Sequence, residues 1–166
     1  RADIYGFCIP FAIELMKLRE ESGIDIKVRL CDTMGYGVPY PGAALPRSVP
    51  KLVRAMIDDA GVPGHLLEWH GHNDFHKVLV NSVTAWLYGC GAVNGALLGF
   101  GERTGNAPIE GMIMEYLSLR GSNDGILVGF PREQVDPGPP RDRLLDDAPE
   151  QMGARARVAA VEPECE

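Results

Sequence analysis

The chain has 166 residues, 45% of them hydrophobic and 23% charged, with a net charge of −7 at neutral pH. That balance describes one globular domain with a core of its own. The negative charge disfavours nucleic acid or an anionic membrane as partner, and no apolar run approaches the roughly 20 residues of a membrane span.

The chain opens at Arg1 inside a helical pattern and reads as a piece of a longer protein. No charged-then-apolar signal segment is present. The first predicted helix runs from Asp3 to Glu21, with Phe7, Phe11, Leu15 and Leu18 at helical spacing. Pro10 predicts a kink or a late start, and Gly23 a C-cap. Ile26 to Cys31 is a strand candidate ending in Asp32-Thr33. A Gly/Pro-rich loop from Gly35 to Pro46 follows, then a helix from about Val49 to Ala60. The second unit is a strand from Leu66 to His72 and a helix from about Phe75 to Tyr88. The third is a strand from Ala92 to Phe100, the loop Gly101 to Asn106, and a helix from about Pro108 to Leu119. The cysteines, Cys8, Cys31, Cys90 and Cys165, are far apart. They read as reduced residues of a cytoplasmic protein, with Cys8, Cys31 and Cys90 in apolar surroundings.

Residues 123–166 differ in character. They hold six of the 13 prolines, one aromatic (Phe130) and no lysine. This composition predicts a disordered or loosely attached tail, or a non-native end to the reading frame, separate from a domain over residues 1–122. Three strand–helix repeats imply parallel strands. The chemistry-bearing residues fall at the strands' carboxyl ends, where a (β/α)₈ barrel and a doubly wound sheet both build sites. Local pattern leaves those two open.

All four histidines lie between His65 and His76. His70 and His72 are two apart at the end of a strand, so their imidazoles share a face. Two imidazoles on one face make half of a divalent-metal site. Trp69 and Gly71 then point toward the covering helices. His65 reads as a solvated loop residue and His76 as a helix start. One unit downstream lies Gly99-Phe100-Gly101-Glu102-Arg103-Thr104-Gly105-Asn106. Neighbouring strands lie about 5 Å apart, which brings Asn106 within reach of a metal on His70 and His72. Glu102 and Arg103 either brace the loop or touch substrate. Asp32-Thr33 ends the earlier strand, where a hydroxyl can hold a carboxylate; the plain alternative is a turn cap.

Asp32-Thr33-Met34-Gly35-Tyr36, His70-x-His72-Asn73-Asp74 and Gly101 to Asn106 together resemble the last three strand-end motifs of the DRE-TIM metallolyase superfamily. The likeness spans Leu30 to Leu119. It is to the Claisen-condensing branch of isopropylmalate, homocitrate and Re-type citrate synthases, and the fuller phrasing is most similar to the Re-type citrate synthase group. The resemblance implies an α/β fold, the C-terminal portion (about three βα units) of a TIM (β/α)₈ barrel. It implies a divalent cation (Mg, Mn, Zn or Co) with His70, His72 and Asn106 as metal residues. Thr33 would hold the carboxylate of a 2-oxo acid, and Gly99, Gly101 and Gly105 would lie near the acyl-CoA. Thr33, Glu102 and Arg103 are the candidate catalytic residues. The implied partners are acetyl-CoA and a 2-oxo acid, oxaloacetate first, in a full-length homo-oligomer.

The family's further metal aspartate follows the first barrel strand, which this chain lacks, so the isolated segment is expected to be inactive. A lyase or aldolase of the same superfamily is the alternative. Its lyase branch usually carries a cysteine in the glycine-rich loop, and here that loop has none.

Overall fold

The computed structural model describes residues 3–120 and 157–160. Most of the predicted tail, residues 123–156 and 161–166, lies outside the described residues.

Helix α1, Ile9–Ser22, follows a single π-type turn over Ile4–Cys8. Pro10 sits in its first turn, where the missing N–H costs nothing. Gly23 ends it in the left-handed conformation, its N–H bonded to the Arg19 carbonyl. The buried face of α1 is Ile9, Ala12 and Met16, whereas Phe7, Phe11 and Leu18 face outward. The stripe that looks most hydrophobic in sequence is therefore not the buried one. Phe7 and Phe11 stack on each other in the open, with ring centroids 5.7 Å apart.

Strand β1, Val28–Asp32, precedes the long loop and helix α2, Val49–Arg54, which continues through a wider turn to Asp59. Ser48 caps α2 by accepting from the Lys51 N–H. Strand β2 is Leu67–Gly71 and helix α3 is Val78–Leu87. Strand β3, Ala92–Ala96, is shorter than the sequence suggests. Leu98 and Gly99, at φ 53° and 70°, turn the chain out of the sheet after Ala96. The two-residue strand β4, Ala107–Pro108, leads into helix α4, Ile109–Arg120.

The sheet runs β1-β2-β3-β4 with every pairing parallel. Parallel neighbours joined by helices are the architecture expected of consecutive (β/α)₈ units. A further strand, β5, Arg157–Ala160, pairs parallel with β3 from Ala92 to Gly95. Nothing in the tail's composition signals it.

The core lies between the sheet and the helices. Leu67, Trp69 and Val93 project from the sheet into it and meet Val49, Val53 and Val78. Trp69 is 1% exposed and Leu67 fully buried. Alternation along β2 therefore sends Glu68, His70 and His72 to the opposite side. Pairing aligns Cys31, His70 and Asn94 as one row across that side, with Arg29, Glu68 and Ala92 as the row below. Cys31 is exposed, against the expectation of a packed thiol, because it belongs to this face and not to the core; Cys90 is buried.

Candidate functional site

The site forms where three strand-end loops meet. His70 and His72 present their rings on the same side of β2, as the two-residue period requires. Their Nε2 atoms are 3.3 Å apart and the ring planes are close to perpendicular, at 86°. With metal–nitrogen bonds of about 2.1 Å, that spacing subtends about 104° at a shared ion, between octahedral and tetrahedral values. The pair therefore fits a divalent cation. Among the described residues, no third His, Cys, Asp or Glu joins them in a metal-binding group.

Charge favours the same use of the pair. Burial, then the neighbouring His72 and Arg29, holds the His70 imidazole below its ordinary pKa, with Glu102 opposing. A neutral ring has a free lone pair, and a neutral ring is what ligates a metal.

Main-chain bonds hold the histidine segment from both sides. The His72 N–H donates to the Asp32 carbonyl at 3.2 Å, and the Asn73 N–H to the Gly105 carbonyl at 2.9 Å. His72 and Asn106 also form an antiparallel bridge. The Asn106 side-chain NH₂ donates to the Gly71 carbonyl at 3.1 Å and lies 3.5 Å from His72 Nδ1. Asn106 thus meets the pair on the Nδ1 side of His72, away from the gap between the two Nε2 atoms.

The first loop is shaped by Asp32, whose two carboxylate oxygens accept from the N–H groups of Tyr36 and Gly37, both at 2.9 Å. This is the turn-capping role. Gly35 has φ 64° and lies so close to the second loop that a Cβ there would sit 2.7 Å from the His72 carbonyl oxygen. Helix α3 is tied to the same loop, because the Gly37 carbonyl accepts from Lys77 Nζ at 2.8 Å and Asn81 Nδ2 at 3.0 Å. Thr33 stands exposed at the mouth with no hydroxyl bond among the described residues.

Arg103 joins all three loops. Its guanidinium donates to both carboxylate oxygens of Asp74, at 3.0 and 3.3 Å, to Glu102 at 3.2 Å, and to the Thr33 carbonyl. A planar fork of five donors suits this bridging task. Arg103 holds the Asp74 carboxyl below its usual range. Arg103 and Glu102 form the expected brace, and Asp74, from the second loop, adds a contact that no sequence spacing signals. Gly101 packs so tightly that any Cβ would overlap the Asn106 carboxamide oxygen. Gly99 accepts the Asn106 N–H at 3.0 Å. These glycines therefore shape the loop around Asn106.

Below the histidines, Glu68 is 4% exposed and pairs with Lys27 at 2.8 Å and Arg29 at 3.0 Å. Alternation from His70 and His72 could have placed it there. His65 and His76 are exposed.

A family model described as HMGL-like matches residues 8–128. Over 126 residues the chain is 79% identical to the Citrate (Re)-synthase of Syntrophus aciditrophicus, covering 76% of this chain and 20% of that protein. It is 53% identical over 122 residues to the Citrate (Re)-synthase of Clostridium kluyveri, covering 74% of this chain and 27% of that protein. The 2-isopropylmalate synthase of Methanocaldococcus jannaschii is 31% identical over 118 residues, covering 71% and 21% respectively. The chain therefore spans between a fifth and about a quarter of the length of these relatives.

Proposed function

The chain belongs to the HMGL-like family, and from that premise we propose that it forms part of a metal-dependent acyltransferase condensing acetyl-CoA with a 2-oxo acid. Oxaloacetate, giving citrate, is the first choice, because the relatives of highest identity named above are Citrate (Re)-synthases. The observation that carries the reading is the 3.3 Å spacing of the two imidazole nitrogens on one face at the sheet's carboxyl end.

In this reading His70 and His72 would hold a divalent cation, which would supply Lewis acidity at the keto group of the 2-oxo acid. Thr33, exposed above the first strand, donates its hydroxyl to the acid's carboxylate. The loop from Gly99 to Gly105 lies against the acyl-CoA, its shape set by the close packing of Gly101 on Asn106. Arg103 fixes that loop to Asp74 and so sets the distance between the two substrates. Orientation of this kind lowers the barrier before any bond changes. Asn106 orients His72 from its Nδ1 side.

The test uses the full-length protein with acetyl-CoA and oxaloacetate, 2-oxoglutarate or 2-oxoisovalerate, with Mn²⁺ or with chelator. Free thiol should appear with one acid and vanish on chelation. Release of thiol with none of the three, or undiminished release under chelator, counts against the proposal.

A further inference from the structure

Among the described residues, three buried polar atoms at or next to the paired imidazoles have no hydrogen-bond partner: His70 Nδ1 and both carboxamide atoms of Asn94. Asn94 is 1% exposed. It stands directly opposite His70 in the β2–β3 register, and paired residues of adjacent strands share a face. Its neighbour Val93 projects the other way, into the core. A buried amide left unpaired is costly, and native proteins pair such groups. Asn94 keeps both a donor and an acceptor uncommitted in the strand beside His70.

The chemistry of the pair calls for such an acceptor. When both Nε2 lone pairs are committed to a cation, each ring carries its proton on Nδ1. Each Nδ1–H then needs an acceptor. Beside His72 Nδ1, at 3.5 Å, lies the Asn106 NH₂, which donates to the Gly71 carbonyl and offers no acceptor. His70 has a carboxamide beside it in the adjoining strand, that of Asn94. A carboxamide oxygen accepts, and its NH₂ remains free to donate.

We propose that Asn94 is a positioning residue for His70. With a divalent cation on the two Nε2 atoms, its carboxamide oxygen accepts from the His70 Nδ1–H and locks the coordinating tautomer. This rests on the metal reading given above. It assigns a role to a residue that no strand-end motif contains.

The experiment is isothermal titration of Mn²⁺ into the full-length protein, unmodified and as Asn94→Leu, Asn94→Asp and His70→Ala. Asn94→Leu should weaken binding about 10–100-fold, the usual effect of losing such an outer partner. Asn94→Asp keeps an acceptor and should stay close to the unmodified affinity. The metal-free Asn94→Leu protein should melt no lower than the unmodified one, since it loses an unpaired buried amide. A purely structural role predicts the reverse: altered melting with unchanged affinity. Nitrogen-15 histidine spectra with Zn²⁺ give a second readout. They should show the His70 Nδ1–H shifted downfield by its hydrogen bond in the unmodified protein and less so in Asn94→Leu. Should Asn94→Leu not fold, Asn94→Ala takes its place with the same expectation. Equal affinity in the unmodified and substituted proteins overturns this proposal alone. Failure of the unmodified protein to bind Mn²⁺ overturns the metal reading and this proposal with it.

Discussion

The Nε2 atoms of His70 and His72 face each other at 3.3 Å across nearly perpendicular rings. Substituting either ring removes half of that arrangement. In the full-length protein, His70→Ala and His72→Ala should each abolish stoichiometric uptake of Mn²⁺ or Zn²⁺, measured by equilibrium dialysis and metal analysis. Full occupancy in both variants would show that the rings are not ligands.

Arg103 and Asp74 meet through two hydrogen bonds on one carboxylate. Lysine cannot span both oxygens, so Arg103→Lys should loosen the glycine-rich loop, and Asp74→Asn should do the same from the other side. Each should lower kcat/KM by about 10²-fold, the scale set by a misplacement of about 1 Å. The double variant should be little worse than either single one, because both remove one interaction. Fully additive losses would separate the two residues.

Glu68 supplies the pH test. Burial pushes its carboxyl up, but the bonds from Lys27 and Arg29 outweigh burial and leave it below the ordinary glutamate value. A carboxyl lowered in the folded state adds stability above its unfolded-state value and loses it as pH falls through the lowered one. Glu68→Gln should therefore destabilise the protein at pH 7, and the gap should narrow below about pH 4. Urea midpoints across that range decide it, and a gap that widens on acidification contradicts the assignment.

Cys90 is 5% exposed, and burial raises its thiol far above the ordinary range, with Glu68 adding to the effect. The thiolate is the reactive form. At pH 8 the peptide carrying Cys90 should stay unalkylated by iodoacetamide until the protein unfolds, while exposed Cys31 is labelled. Mass spectrometry of the digested peptides reads both. Early labelling of Cys90 would mean that its helix–sheet seam opens.

Much of this arrangement is legible along the chain. Period-two alternation through Leu67 to His72 separates the core face from the histidine face, and β2 obeys it. Gly23 ends α1 where a left-handed glycine should. Leu97 and Leu98 continue the apolar run, so the pattern predicts a longer strand than the one that forms, Ala92–Ala96. Apolar character does not reveal that the backbone turns at Leu98. Arg103 and Asp74 are 29 residues apart, and only the stacking of parallel strand ends brings them together. Asn94 was hidden for a related reason: one amide among small apolar residues looks like a lapse in a buried strand, until register sets it beside His70. Cys31 misled in the same way, since its sequence neighbours are apolar but its side of the sheet is not.

The histidine segment is stitched to Asp32 on one flank and to Gly105 on the other by backbone atoms alone. Those stitches do not depend on which side chains positions 70 and 72 carry. The frame is thus set by main-chain atoms, and the two imidazoles it presents are not what ties it to its neighbours.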